Sequence, residues 1–227
     1  MFITSIDLDT LDLAQARAFY TQTLGLHLQQ ETADAFTVQA GATALTFRAS
    51  GVQPLLYHFA FTVPSNKWTQ AKAWLTARTT LLEGEGRDEF ASARVRTRSC
   101  YFPDPAGNIL EFIACEDLPP KAGEDFRPAD VAQISEMGLV VDDVPSTVLQ
   151  LKTKLGIEVY RDSSFENFAQ LGDINGVLVV AKRGRLWAPD ERQPAVVSPV
   201  RLSILGTVAH HITLAPYPYD LEIVALR

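Results

Sequence analysis

The chain has 227 residues, 47% of them hydrophobic, which is enough for one large or two small domains with a packed core. Its 27 acidic and 20 basic residues give a net charge of −7 with no basic run, which argues against nucleic acid as a partner. The N-terminus has no cationic segment before an apolar one, and the longest apolar run, 176–181, is too short to cross a bilayer. We therefore expect a cytoplasmic protein without a membrane partner.

The first predicted unit occupies the N-terminal 48 residues. Alternating apolar residues over 5–10 predict a strand, and Asp12 is suited to cap the helix that follows. An apolar stripe extends this helix to Gly25, a residue type that often ends helices. Three strand-like runs come next, at 26–30, 35–39 and 43–48.

A second unit with the same layout follows. Residues 58–63 predict a strand, Ser65 a helix cap, and an apolar stripe a helix ending near Arg78. Strand-like runs cover 81–83, 93–102 and 108–114. Its cysteines, Cys100 and Cys115, lack metal-type or redox-type spacing, so we expect buried, reduced thiols.

A third unit begins after a segment rich in proline, glycine and charge, 117–130, which has the composition of a linker. Residues 136–141 alternate as a strand, and the interval from Asp143 to Gly156 equals that from Asp12 to Gly25. Strand-like runs cover 158–161, 165–171 and 177–182. The chain therefore contains three copies of one strand-helix-strand pattern.

Two motifs resemble the vicinal oxygen chelate superfamily, which includes glyoxalases, bleomycin-resistance proteins and extradiol dioxygenases. They are the helix-to-strand junction at 19–26 and the strand, turn and strand at 101–112. The resemblance implies an α+β fold of tandem βαβββ units, two of which pair into a curved, cup-shaped mixed sheet with helices outside. It gives a paired domain over 1–116, a linker over 117–130, and a third βαβββ unit with a C-terminal strand hairpin over 131–227.

The resemblance also implies positions for metal ligands on the first and last strand of each unit. In the paired domain these are Ser5, Thr46, His58 and Glu111. Only His58 and Glu111 are metal-binding types, and strand alternation points both toward the cup. They are the expected ligands of a divalent metal such as Zn, Mn, Fe or Ni, with Glu111 also catalytic. Asp7 is a candidate substitute ligand or substrate-binding residue.

A buried Glu111 needs a partner, which is either the metal or an arginine. Arg94, Arg96 and Arg98 recur at strand period and share one face. If this face lines the cup, Arg96 and Arg98 bind an anionic substrate, or an arginine pairs with Glu111 and replaces the metal. If it faces water, the arginines are solvated charge, which is the favoured interpretation. Tyr101 is on the opposite face and is expected in the core.

A second set of ligands is conceivable in the third unit, formed by Glu136, His211 and Glu222. Only eleven positions separate His211 from Glu222, so a fourth unit can be no more than a hairpin remnant. The alternative is that this C-terminal segment pairs with an exposed sheet edge. Because an unpaired third unit offers such an edge to another chain, we also expect a homodimer.

Two functions fit these features. The first is a glyoxalase-like or dioxygenase-like enzyme with divalent-metal lyase or isomerase chemistry on a small molecule in the cup; ring-cleaving dioxygenase chemistry fits least, because Ser5 removes one histidine ligand. The second is a metal-free module that sequesters a ligand, as bleomycin-resistance proteins do.

Overall fold

The computed structural model describes residues 1–160 and 165–225. It is an α+β fold in which the described residues form three α-helices and fourteen strands, arranged in two seven-stranded mixed sheets. The helices are α1 (Leu13–Ala18, continued by a π-helical turn, Phe19–Thr23), α2 (Trp68–Thr76) and α3 (Val144–Leu155).

The fourteen strands repeat in groups that follow the predicted units. Unit one contains β1 (Phe2–Thr10), β2 (His27–Glu31), β3 (Ala35–Ala40) and β4 (Thr43–Ala49), and unit two contains β5 (His58–Thr62), β6 (Phe90–Ser92), β7 (Thr97–Pro103) and β8 (Ile109–Cys115). Unit three contains β9 (Gln133–Val141), β10 (Phe168–Asp173) and β11 (Gly176–Lys182). A fourth, helix-less group contains β12 (Val200–Gly206), β13 (His210–Thr213) and β14 (Tyr219–Ala225).

The two sheets have the same topology. Sheet one has the order β13-β14-β12-β1-β4-β3-β2, and sheet two has the order β10-β11-β9-β5-β8-β7-β6. The first and last strands of each group pair in parallel, while the two first strands in the middle of each sheet, β1 with β12 and β5 with β9, pair antiparallel. Each sheet is therefore made of two related units that meet at their first strands.

The partners differ from the expected ones. Unit one was expected to pair with unit two, but its β1 pairs with β12, and unit two pairs with unit three. A first strand that has paired with its own last strand leaves one edge open, and any related unit can cover that edge. The pairing of unit three also removes the open edge on which the expectation of a homodimer was based. The division of the chain at 117–130 stays a prediction.

Other sequence expectations have mixed outcomes. Asp12 and Asp143 cap α1 and α3 by accepting from the backbone N–H of Gln15 and Ser146, and Gly156 ends α3 with a φ of 65°. Ser65 does not cap α2, which follows a short 3-10 turn. Residues 81–83 contribute a single bridge, from Leu82 to Tyr101, and the strand at this edge is β6 instead. Of the predicted run 158–161, Val159 forms a bridge to Leu171, and Arg161 lies outside the described residues.

One continuous apolar core contains residues of both sheets and of the helices. Tyr20 connects the sheets, since its ring stacks on Phe47 of sheet one at 4.6 Å and lies 6.5 Å from Phe59 of sheet two. Its hydroxyl donates to Asp104 at 2.8 Å, so the motifs at 19–26 and 101–112 meet in space. The opposite face of sheet two is left for the functional site. None of the described helices is long and apolar enough to span a membrane.

Candidate functional site: a cup with one histidine and two carboxylates

The cup is a cavity of about 230 Å³ on the face of sheet two that points away from the core. Residues from all seven strands of sheet two line it, and on β7, β8 and β10 they are alternate residues, as the two-residue period of a strand requires. A segment after β11 closes one side. The cup residues used below are His58, Ser99, Tyr101, Glu111, Glu136, Phe168, Gln170, Val179, Arg185 and Trp187.

His58 is buried at the start of β5 and is held by its backbone-facing nitrogen. Its Nδ1 lies 3.0 Å from the carbonyl oxygen of Ile109, and because a carbonyl only accepts, Nδ1 carries the proton and donates. Burial lowers the pKa of His58 to about 4, although the bond to Ile109 opposes this shift. At neutral pH the ring is therefore neutral, with the lone pair on Nε2 directed to the site.

The two carboxylates reach His58 from opposite sides of the same strand. Ala60, two residues after His58, pairs with Glu111 in the parallel strand β8 and with Glu136 in the antiparallel strand β9. Both glutamates are buried. One oxygen of Glu111 lies 3.7 Å from His58 Nε2, and the ligand atoms of His58, Glu111 and Glu136 all lie within 4.8 Å of one another.

This is a donor set that fits a divalent cation. Neutral imidazole and carboxylates are ordinary metal ligands, and the hydrogen bond from Nδ1 to a carbonyl is the support that metal-bound histidines usually have. In the described part of the chain it is the one group of three such residues close enough to share an ion. On the last strand of unit three, the position that corresponds to Glu111 is occupied by Val179, which cannot bind a metal ion.

Aromatic side chains form the wall of the cup. The centroid of the Trp187 ring lies 4.9 Å from the centroid of the His58 ring, and the centroid of the Tyr101 ring lies 6.4 Å from that of His58. Burial and the neighbouring Glu111 raise the pKa of Tyr101 well above its ordinary value, so its hydroxyl stays protonated. Tyr101 was expected in the core, and the structure places it in the cup instead. Phe168 stands on the side formed by unit three.

Sheet one contains the same four positions without the same chemistry. Its registers place Asp7 opposite both Thr46 and Arg201, as Ala60 lies opposite Glu111 and Glu136. The equivalents of His58, Glu111, Glu136 and Val179 are therefore Ser5, Thr46, Arg201 and Glu222.

The residues predicted for the site separate into two groups. The structure brings His58 and Glu111 together, and it adds Glu136, which the sequence had assigned to a different set. The remaining members of that set, His211 and Glu222, are exposed in sheet one, where His211 bonds to Asp220. The first strand of the fourth group is β12 rather than the segment at His210, because β12 is the strand that pairs with β1.

The predicted substrate-binding residues do not line the cup. Asp7 belongs to sheet one and forms ion pairs with Arg48 and Arg201. Arg96 is exposed and pairs with Glu116 and Asp117. Arg98 is exposed beside α2, because the even-numbered residues of β7 point away from the cup face that Ser99 and Tyr101 share.

Sequence reasoning also missed the residues that come from outside the repeated pattern. Arg185 and Trp187 lie in an irregular segment that has no strand period to indicate its direction. Glu136 could have been assigned to the same cup from the register of β5 and β9, but not before the partner of unit two was known.

Comparison with known proteins finds a similar family for the N-terminal part of the chain. The model of the Glyoxalase/Bleomycin resistance protein/Dioxygenase superfamily matches residues 3–112. These residues, just under half of the chain, are similar to this superfamily. No curated protein matches the sequence.

Solved structures extend the likeness in fold to nearly the whole chain. A Bacillus subtilis protein described as a "putative dioxygenase" aligns over 98% of this chain and 84% of its own, with 16% identity and a TM-score of 0.61. Glyoxalase I from Zea mays aligns over 99% and 92%, with 14% identity and a TM-score of 0.57. At these identities the likeness concerns the fold alone, and it extends through units three and four.

Proposed function

We propose that the protein is a divalent-metal-dependent enzyme that acts on a small molecule in the cup, by lyase or isomerase chemistry. The observation that carries this proposal is the convergence of His58, Glu111 and Glu136 on one point of a buried, aromatic-walled cavity. The glyoxalase I fold of the maize protein is consistent with chemistry of this kind.

The ligand set favours some chemistries over others. Non-haem iron oxygenases use two histidines and one carboxylate, whereas this site offers one histidine and two carboxylates. The additional carboxylate suits Mn, Zn or Ni acting without a change of oxidation state. Lyase and isomerase reactions, which move protons and bonds without external electrons, therefore fit the site better than ring cleavage.

The side chains have distinct tasks in this proposal. When bound, the metal polarises neighbouring oxygen atoms of the substrate. His58, Glu111 and Glu136 hold the ion. Glu111, which is buried beside the Tyr101 hydroxyl, also accepts a proton from the substrate. The rings of Trp187, Tyr101 and Phe168 exclude water and orient the substrate against this group.

Metal content tests the proposal. Protein purified without chelators is expected to carry about one divalent ion per chain, and His58→Ala is expected to lose it. His27→Ala, which removes an exposed histidine of sheet one, is the matched control and should keep the ion. His58→Gln repeats the test with a side chain of similar length, and circular dichroism confirms that each variant is folded.

The opposite result favours the second function. If the wild type carries no stoichiometric ion and gains no thermal stability from Mn, Fe, Ni or Zn, the metalloenzyme proposal is wrong. The cup is then better explained as a metal-free ligand-binding module of the bleomycin-resistance type. The homodimer and the cytoplasmic location remain predictions under either function.

A further inference from the structure

Arg185 is a cationic side chain in the cup that the metal site does not use. It lines the cavity half-buried, and its guanidinium carbon lies 4.7 Å from the centroid of the Phe168 ring. One N–H group, on Nη1, donates to the carbonyl of Leu186 at 3.0 Å. Within residues 1–160 and 165–225, no carboxylate forms an ion pair with it at 4.0 Å or less.

The backbone holds Arg185 firmly in this place. Its N–H donates to the carbonyl of Lys182 at 3.0 Å, and its own carbonyl accepts from Ala195 at 2.7 Å. Gly184 donates to the Ala195 carbonyl at 2.8 Å, so the two ends of the segment are bonded to each other. The stacked ring and the fixed backbone prepare the guanidinium for a ligand and reduce the entropy lost on binding.

The guanidinium has unused capacity for an oxyanion. An arginine offers five N–H donors in a planar fork, and among the described residues only one of the five has an acceptor. Burial lowers the pKa of Arg185, the charge of Glu191 opposes this shift, and the group stays charged at neutral pH. A partly desolvated cation of this shape is best satisfied by a planar carboxylate that accepts two parallel hydrogen bonds.

The charge of the cup sets the charge of the ligand. With a divalent ion bound, the ion offsets the charges of Glu111 and Glu136, and His58 is neutral. Arg185 then gives the described lining residues a net charge of about +1. This matches a monoanion, whereas a phosphate dianion would call for a second cationic side chain.

We propose that Arg185 determines specificity for a substrate that carries a carboxylate in addition to the neighbouring oxygen atoms that face the metal. The inference rests on the proposed function for the metal end of the substrate, but the carboxylate contact itself needs only Arg185. The aromatic wall formed by Phe168, Tyr101 and Trp187 suits a flat or apolar body between the two ends.

Two probes of the same shape test this inference. Calorimetric titration of Mn-loaded protein, under argon, compares 3,4-dihydroxybenzoate with its neutral amide, 3,4-dihydroxybenzamide. The wild type is expected to bind the acid roughly tenfold to hundredfold more tightly, the usual effect of a charge-assisted hydrogen bond. Arg185→Gln should bind both probes equally, and Arg185→Lys should restore part of the preference. Arg183→Gln, which removes an exposed arginine paired with Asp142, should bind as the wild type does.

The outcomes separate this inference from the metal site. Equal binding of the two probes by the wild type, a preference that survives in Arg185→Gln, or no binding of the acid up to about 10 mM would each overturn it. Repeating the titration in EDTA with benzoate and benzamide removes the metal from the comparison. If the protein binds no metal but still prefers benzoate, and Arg185→Gln abolishes that preference, the proposed function fails while the role of Arg185 stands.

Discussion

His58 Nε2 and one carboxylate oxygen of Glu111 lie 3.7 Å apart on neighbouring parallel strands. This approach is not an ordinary salt bridge, because burial keeps the ring neutral and the proton is on the other nitrogen, which donates to Ile109. A lone pair and a carboxylate repel each other unless a cation lies between them. In the proposed function, a divalent ion lies between the two groups and removes this repulsion.

Burial of His58 gives the metal-free protein a defined pH dependence. The folded pKa is about 4 and the ordinary value is 6.5, so between these values the unfolded chain binds a proton that the folded chain does not. The free energy of unfolding should fall by about 3 kcal/mol as the pH drops from 6.5 to 4, and this contribution is fully present above 6.5.

Urea unfolding in EDTA across this range measures the effect, with His58→Gln as the comparison. The variant lacks the titrating ring. Over the same pH range its free energy of unfolding should therefore fall by about 3 kcal/mol less than that of the wild type. Parallel curves for the two proteins would show that His58 is not buried as a neutral base.

Asp104 is predicted to be a structural residue, although it belongs to the motif at 101–112. Its carboxylate accepts from Tyr20, from the backbone N–H of Ala106, and from both the backbone and the side chain of Asn108. Asp104→Ala leaves these buried donors without an acceptor and should cost about 3 kcal/mol of stability. Asp117→Ala removes an exposed ion pair with Arg96 and should cost less than about 1 kcal/mol. Similar losses for the two variants in urea unfolding would refute this role.

The corresponding face of sheet one is predicted to take no part in metal binding. Its four equivalent positions hold a serine, a threonine, an arginine and a single glutamate, and Arg201 there pairs with Asp7 and Asp9. His211→Ala and Glu222→Gln should therefore retain the metal content of the wild type, as measured by inductively coupled plasma mass spectrometry. Loss of about one ion per chain in either variant would show that sheet one binds the metal, and it would contradict this prediction.

The sequence was sufficient for the repeated elements and for part of the site. Strand alternation placed His58 and Glu111 on the cup face, and in the structure both line the cup while their neighbours Phe59, Phe61 and Phe112 lie in the core. Such patterns work because each strand has one face toward the apolar core, and this determines where every second residue points.

Partner choice could not be read in the same way. The first strands of all four groups offer equivalent edges, and nothing local to β5 tells whether it pairs with β1 or β9. Glu136 therefore could not be joined to His58 and Glu111 from sequence alone. Tyr101 was misplaced for a related reason, since a large aromatic residue on a strand suits a buried cup wall as well as a core.

An anomalous difference map from crystals grown with Mn²⁺ tests the central claim most directly. We expect one strong peak in the cup, about 2.0 to 2.3 Å from His58 Nε2 and from a carboxylate oxygen of each of Glu111 and Glu136. A cup without a peak, or a peak ligated by residues other than these three, would contradict it.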